Sequence, residues 1–313
     1  MARVRATALE APVAEQPAAG LYRDALSRLV RNRLAIIGGV IVLLLLLVAA
    51  VGPFVTPYPY DLTSTAQVRE FRGPLDPGQG GHLLGTDQLG RDLLSRLMDG
   101  ARISMVVAII AQVTALAIGV PIGAVAGWFG GRTDNLLMRF TDIVYAFPAL
   151  LFIIMLTVVF RDSPLGTAMD GLLLVFVAIG LVSWVGVARL VRGQLLSLKE
   201  AEFVEAARAL GVRDRTIVTR HLLPNSMGPI IVAMALGIPA AILAEALLAF
   251  IGIGATPPRA SWGTLILDGQ IWMSSEPHLL IFPALAIGLA MLSFTFLGDG
   301  LRDALDPKLK GRQ

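Results

Sequence analysis

The amino-acid sequence has few side chains that could act as nucleophiles, metal ligands or general bases. It contains no cysteine and only three histidines, His82, His221 and His278. Without cysteine there is no disulfide, thiolate metal site or cysteine nucleophile. The sequence has no HExxH motif, and Ser183 has no histidine in its own apolar segment to activate it. We therefore expect no catalytic residue and no metal site, and we expect that the chain is not an enzyme.

The lysines give no sign of a nucleotide site either. A P-loop needs a glycine-rich turn followed by Lys and then Ser or Thr. The only lysines are Lys199, Lys308 and Lys310, and none follows such a turn. The sequence predicts that this chain binds no cofactor.

Two acidic residues, Asp142 and Glu245, lie inside apolar stretches. A charge at the bilayer centre costs about 2.5–3.5 kcal/mol on insertion scales, so such side chains usually face protein or water. Asp142 follows Arg139 by three residues, which predicts an ion pair on one helix face. A direct substrate role is the alternative. For Glu245 two interpretations stay open: it lines a solute pathway, or it hydrogen-bonds to a neighbouring helix.

The polar segment Lys199–Ser226 lies between two apolar stretches and predicts a hairpin of two short helices. In the first helix, Phe203, Ala207 and Leu210 fall on one face. Gly211 then supplies the permissive backbone that a helix end before a sharp turn requires.

The second helix of the hairpin is predicted from about Asp214 to Leu222. Pro224 cannot continue it, so we expect the helix to stop there and the chain to turn into the next apolar stretch. The hairpin is larger than a connection between adjacent spans needs. It either docks onto another protein or merely joins two helices.

The elements that position these residues are long apolar helices. Hydrophobic residues make up 55% of the chain and charged residues only 16%, below the roughly 25% of soluble domains. The net charge of +3 is too small to suggest nucleic-acid binding. A bilayer core takes roughly 20 apolar residues per helix. Six segments meet this length, which predicts an all-α polytopic membrane protein with six transmembrane helices: about Ala35–Val55, Ile103–Phe129, Leu137–Phe160, Leu172–Leu190, Pro229–Ile253 and Leu279–Leu297.

Arg and Lys set the predicted orientation. They are concentrated before the first span, after the fourth span and in the C-terminal tail. Since these three regions lie on one side of a six-span protein, the positive-inside rule predicts that both termini are cytoplasmic. The external loop Tyr58–Arg102 disagrees with the rule because it holds five arginines, but long loops determine orientation weakly.

Four regions follow from this pattern. Residues 1–20 are predicted to be a disordered tail. Residues 21–102 hold a basic interfacial helix at Leu21–Leu34, the first span and the external loop, in which Leu89, Leu93 and Leu97 predict an amphipathic helix at the outer membrane surface. Residues 103–300 are the five-helix core with the hairpin loop at 192–226, and residues 301–313 are a cytoplasmic tail.

One motif in the hairpin resembles a known family. Glu205-Ala206-Ala207, then Gly211, then Leu223-Pro224, resembles the EAA loop of permease subunits of ABC importers. Where the family pattern has Ile, this chain has His221. In that family the short helix of the loop fits a cleft on the ATPase subunit and transmits its opening and closing. The resemblance therefore implies an ATPase-coupling role for Glu205, Ala206, Ala207, Gly211, His221, Leu223 and Pro224.

Two further segments resemble the dipeptide and oligopeptide branch of the family, in its C-type subunit. Residues His82–Arg102 are similar to the stretch ahead of span two, and residues Ala244–Gly263 to the end of span five and its following loop. Taken with the hairpin, the resemblance covers roughly Leu21 to the C-terminus. The residues of the signature loop ahead of span two are Gly85, Thr86, Asp87, Gly90, Arg91 and Asp92.

The resemblance implies a type I ABC importer permease fold in the inner membrane. It also implies a complex with a homologous B-type permease, two ABC ATPases that hold ATP and Mg, and an external solute-binding protein. Peptides are the expected substrate, with nickel and glutathione as alternatives. An ion channel or secondary transporter is the competing class, but it would have no use for a hairpin that contacts an ATPase.

Overall fold

The computed structural model describes residues 25–63, 74–169 and 171–305. The predicted tail at 1–20 and the last eight residues of the C-terminal tail lie outside the described residues. The described backbone is mainly helical, and one isolated antiparallel bridge joins Thr86 to Asp92. In chain order the helices of eight or more residues are α1 (Arg33–Val55), α2 (Leu93–Phe129), α3 (Gly131–Ala146), α4 (Ala149–Val159), α5 (Leu172–Lys199), α6 (Glu202–Ala209), α7 (Met227–Phe250), α8 (Trp262–Gln270) and α9 (His278–Leu305).

Five of the helices, α1, α2, α5, α7 and α9, are long and apolar enough to cross a membrane. The third predicted span, Leu137–Phe160, is not one continuous helix, so that prediction is wrong in detail. It is divided between α3 and α4, which meet at an angle of 82° and form either one broken span or a re-entrant loop. Pro148 explains the break, because a residue before proline is driven out of the helical region. Phe147 accordingly has φ −78° and ψ 132°.

The core of the molecule is built on the contact between α2 and α5. Between apolar helices in lipid, small residues allow close packing. Gly119, Gly123 and Gly127 recur on one face of α2 and lie directly against α5. A Cβ atom at Gly119 would lie 2.7 Å from the carbonyl oxygen of Trp184. This close approach fixes α2 against α5 along the hairpin half of α2.

The chain before the first span differs from the predicted continuous helix over Leu21–Leu34. Residues 25–29 are helical, a turn follows, and Asn32 begins a new helix. The Asn32 side-chain oxygen accepts hydrogen bonds from the backbone N–H groups of Leu34 (3.1 Å) and Ala35 (3.3 Å). This N-cap satisfies otherwise unpaired donors and separates α1 from the preceding basic turns.

The predicted amphipathic helix at the outer surface is also corrected. The helix begins at Leu93, after Leu89, and continues as α2 for 37 residues without a break. At 1.5 Å per residue it is about 55 Å long, which exceeds the roughly 30 Å bilayer core. Leu93, Arg96 and Asp99 are buried inside the protein, so this first part of α2 does not lie on the membrane surface. The predicted region boundary after residue 102 falls inside α2, and the one after residue 300 falls inside α9.

Candidate functional site

The hairpin, defined here as residues 202–225, lies at the C-terminal ends of α2 and α5. It begins with α6, and Gly211 follows with φ +74°, the left-handed conformation that favours glycine. The Val212 N–H donates back to the Ala207 carbonyl (3.0 Å), which closes the end of α6. The predicted turn at Gly211 is confirmed.

Only part of the predicted apolar face of α6 packs against the protein. Val204 is fully buried and Ala207 is 8% exposed, whereas Phe203 is 40% and Leu210 is 83% exposed. The side chains of Val204 and Ala207 join a buried cluster with Ile217 of the second arm. Apolar residues of this segment occur on two neighbouring sides, one with Val204 and one with Phe203. Packing against the membrane helices buries the side with Val204.

The second arm does not stop at Pro224 as predicted. Residues Asp214–Thr216 are α-helical, Ile217–Leu222 form a π-helix, and Leu223–Asn225 return to α-helix just before α7. Pro224 occupies the first turn of that last segment. Because the first N–H groups of a helical segment need no partner within it, proline is tolerated there. The hairpin is thus joined to α7 by a nearly continuous helical path.

Trp128, at the end of α2, connects the hairpin to the membrane helices. The Arg208 guanidinium lies 4.9 Å from the centre of the Trp128 ring. The Lys199 ammonium donates to the Trp128 backbone carbonyl at 2.7 Å. Trp128 also packs in the same apolar cluster as Val204. The sequence gave no sign of this contact, because Trp128 and Arg208 lie 80 positions apart.

The residues predicted to couple to an ATPase are spread over both arms of the hairpin. The residues differ in exposure, so only part of the set is available to a partner. Glu205, Ala206, Gly211 and Pro224 are exposed, His221 and Leu223 are half-buried, and Ala207 is buried.

The opposite end of α2 carries the polar loop, defined here as residues 74–92. Asp87 is its centre: one carboxylate oxygen accepts from the backbone N–H groups of Leu89 and Arg91, both at 2.9 Å. The other oxygen accepts from Arg91 Nε at 2.7 Å and from the Arg96 guanidinium at 2.5 Å. All of these charged side chains are buried. Buried charges require such pairing, because unpaired they would lose their hydration without compensation.

Asp92 fixes the start of α2. It accepts from the backbone N–H and the hydroxyl of Ser95, each at 2.8 Å, as an N-cap. Its second oxygen lies 2.8 Å from His82 Nδ1. Gly85 (φ +82°) and Gly90 (φ +72°) supply the left-handed turns that bring these groups together. The predicted signature loop is therefore a buried structural unit.

Two ion pairs connect the start of α2 to the loop and helix that follow α7. Arg96 reaches Asp268 of α8 at 3.3 Å, and Arg259 reaches Asp99 of α2 at 3.2 Å. The residues of the first pair are 172 positions apart, and the sequence predicted neither of the two ion pairs.

Asp142 is exposed, and its partner is not Arg139 as predicted. It pairs with Arg189 of α5 at 2.7 Å, and the Arg189 guanidinium also lies 4.6 Å from the ring centre of Tyr145. Helical spacing permits the Arg139 pair, but the packing of α3 on α5 turns Asp142 towards Arg189.

Glu245 is 1% exposed and lies between α7 and α2. One carboxyl oxygen accepts a hydrogen bond from Ser104 at 3.5 Å. The hydrogen bond from Ser104 of α2 agrees with the interpretation that Glu245 bonds to a neighbouring helix.

Comparison with known proteins gives matches along almost the whole chain. The family model described as the inner membrane component of binding-protein-dependent transport systems matches residues 119–311. The model of the N-terminal TM domain of oligopeptide transport permease C matches residues 20–74.

Three curated relatives are permease proteins, and the match spans most of the length of each. An oligopeptide transport system permease of Haemophilus influenzae is 42% identical over 92% of this chain and 89% of its own length. A dipeptide transport system permease of Bacillus subtilis is 42% identical over 96% and 90%. A glutathione transport system permease of Pectobacterium atrosepticum is 39% identical over 92% and 92%.

A solved structure of the MetNI methionine ABC transporter, in an inward-facing conformation, contains a chain with the same fold. The TM-score is 0.57 at 17% identity, and the match covers 68% of this chain and 96% of that one. The chain therefore belongs to the family of inner membrane components of binding-protein-dependent transport systems, as a multi-pass membrane protein with the fold of ABC importer permeases.

Proposed function

We propose that this chain is the transmembrane permease subunit of an ATP-binding-cassette importer that moves di- and oligopeptides across the inner membrane. The peptide substrate is supported by the oligopeptide and dipeptide permeases that are 42% identical to it. The observation that carries the mechanism is the hairpin, which is anchored on one face and exposes an apolar tip on the other.

The hairpin tip has the chemistry of a protein contact. Leu210 and Phe203 are exposed next to the left-handed turn at Gly211, while Val204 on the other face is fully buried. Covering such exposed apolar side chains with a partner protein removes apolar surface from water and so favours binding. We assign that partner as an ABC ATPase, two copies of which hold ATP and Mg. A homologous B-type permease and an external solute-binding protein complete the complex.

Helix α2 provides a direct path between the two ends of the molecule. Trp128 links its C-terminal end to the hairpin, and Asp92 and Arg96 fix its other end in the polar loop. Displacement of the hairpin by the ATPases would therefore be transmitted along α2. ATP binding would bias two existing arrangements of the paired permeases, one open to each side, which is alternating access.

The hairpin and both chain termini are assigned to the cytoplasmic side. The concentration of Arg and Lys before α1, in the hairpin and after α9 supports this orientation. The polar loop then faces the binding protein.

Glutathione import is the second candidate. A relative named as a glutathione transport permease is 39% identical over 92% of the chain, close to the values for the peptide permeases. Since glutathione is itself a short peptide, the same pathway chemistry would serve either substrate. None of the three relatives described above is named for nickel transport.

The test is ATP-driven peptide uptake by the complex reconstituted in proteoliposomes, with Leu210→Asp in the hairpin. Because Leu210 is 83% exposed, we expect the variant to fold with a stability change within about 0.5 kcal/mol. It should lose ATPase subunits on purification and lose most uptake, because a charge replaces the apolar contact.

The matched control is Leu83→Asp, an exposed leucine of the polar loop at the opposite end of the molecule. This variant should retain its ATPase subunits. Peptide uptake by the permease pair without nucleotide would contradict the importer and favour a channel or secondary transporter. Normal ATPase retention by Leu210→Asp, and also by Gly211→Pro, would remove the coupling role of the hairpin.

A further inference from the structure

Three side chains that can bind metals meet where the polar loop contacts the start of α9. Asp76 lies in the polar loop, Glu276 lies just before α9, and His278 is the first residue of that helix. Each side chain offers one ligand atom, and these atoms all lie within 4.8 Å of one another. Because Asp76 and His278 are 202 positions apart, only the tertiary fold brings them together.

The two carboxylates of this cluster are not neutralised by basic side chains. Within the described residues, no arginine or lysine forms an ion pair with either of them. The Asp76 carboxylate accepts a hydrogen bond at 2.8 Å from Gln79 Nε2, which carries no charge. Glu276 faces His278, which is charged only when it is protonated. Two carboxylates held close together repel each other, so a cation bound between them is favoured.

The distance between His278 and Glu276 suits two ligands of one ion better than it suits a hydrogen bond. His278 Nδ1 and Glu276 Oε2 are 3.5 Å apart. Hydrogen bonds from nitrogen to oxygen usually measure about 2.7–3.2 Å. Zinc binds histidine nitrogen and carboxylate oxygen at about 2.0–2.2 Å, so two such atoms in a tetrahedral site lie about 3.4 Å apart. The observed separation therefore matches a shared ion.

The His278 side chain is buried, and its neighbours restrict the orientation of the ring. Its Nε2 is buried and has no hydrogen-bond partner among the described residues, a condition that calls for a further role. A Cβ atom at Gly85 would lie 3.0 Å from this nitrogen, so the loop backbone packs closely against the ring. Phe282 meets the ring edge-on, with ring centres 6.5 Å apart. An imidazole whose orientation is held by its surroundings is well suited to bind a metal.

We propose that Asp76, Glu276 and His278 bind a divalent transition-metal ion, with Zn²⁺ as the best match. Zn²⁺ accepts an imidazole together with carboxylates, whereas Ca²⁺ and Mg²⁺ take oxygen ligands. Three protein ligands leave one position of a tetrahedral site for water. The bound ion joins the polar loop to α9. The proposal concerns a resident ion and does not depend on which solute the chain transports.

The first experiment measures Zn²⁺ binding by calorimetry to the full-length chain, purified without a polyhistidine tag and treated with a chelator. The wild type should bind one Zn²⁺ per chain. Asp76→Asn and Glu276→Gln should each weaken binding at least about ten-fold, since even groups that only support a metal ligand contribute that much. Because Asp76 is exposed, Asp76→Asn should fold, and without Zn²⁺ it should melt at the temperature of the wild type.

The matched control is Asp162→Asn, which removes an exposed carboxylate in the connection before α5 and outside the cluster. This variant should bind Zn²⁺ like the wild type. Failure of the wild type to bind Zn²⁺ would overturn the proposal, and so would equal affinity of the wild type, Asp76→Asn and Glu276→Gln. Tighter binding of Ca²⁺ than of Zn²⁺ would also overturn it, because it would indicate a site made of oxygen ligands alone.

The second experiment locates the ion by hydrogen exchange. In the wild type, Zn²⁺ should slow exchange both in residues 74–92 and at the start of α9, because the ion joins these two segments. In Asp76→Asn the same Zn²⁺ concentration should leave both segments unchanged, and exchange in the hairpin should be unaffected in either protein. Slowing confined to the hairpin, where His221 lies, would place the ion there and refute the site.

Discussion

The polar loop and the hairpin lie at opposite ends of α2 and are held by different forces. In the polar loop, Asp87 accepts four hydrogen bonds and every charge around it is buried. In the hairpin, apolar side chains such as Val204 and one cation–π contact to Trp128 hold one face, and the other face is exposed. Ion pairs of fixed geometry resist displacement, whereas an apolar contact tolerates small sliding. We therefore expect the polar loop to keep its position relative to α2 and the hairpin to move with a bound partner.

Asp87→Ala is the strongest way to test this difference. It leaves the buried side chains of Arg91 and Arg96 without their shared carboxylate, which costs about 3–5 kcal/mol when a buried pair is broken. We expect a large drop in the melting temperature of the purified protein, or loss of expression. Asp76→Ala, an exposed residue of the same loop, is the control. Equal stability of the two variants would show that the network does not hold the loop.

Ile217→Ala tests the apolar anchoring of the hairpin. Ile217 is fully buried, and removing most of its side chain should cost at least about 2 kcal/mol. The loss should be local: hydrogen exchange should accelerate in residues 202–225 and stay unchanged in residues 74–92. Leu210→Ala, which removes an exposed side chain, should leave both regions unchanged. Faster exchange in the polar loop would mean that the local stability of the loop depends on the packing of the hairpin.

Glu245→Gln should change stability by less than about 1 kcal/mol, because the amide keeps the shape and can still bond to Ser104. We expect uptake to be retained, as a contact between α7 and α2 requires no charge. Loss of uptake in a variant of normal stability would assign Glu245 to the solute pathway.

Asp142→Asn should have the smallest effect, within about 0.5 kcal/mol, since Asp142 and Arg189 are 65% and 41% exposed. The matched variant is Asp134→Asn on the same helix, whose carboxylate is 11% exposed and binds Arg192 through both oxygens. Asp134→Asn should lower the free energy of unfolding more than Asp142→Asn does. Reduced uptake by Asp142→Asn alone would favour the direct contact with solute that the sequence left open.

The sequence alone determined five of the membrane helices and the turn at Gly211. Both depend on local chemistry: the length of an apolar run decides whether a helix can span lipid, and only glycine adopts the left-handed turn without cost. The motif in the hairpin likewise identified the family before any contact was known.

Only the tertiary structure decided which groups meet. The sequence could not tell that Val204, and not Phe203, faces the protein, because both lie on apolar stripes of α6. It could not join Arg96 to Asp268 or Asp142 to Arg189, because those pairs form between separate helices. It also placed a continuous span across Pro148, where the chain bends. Helix packing sets these contacts, and packing is a property of all the helices together.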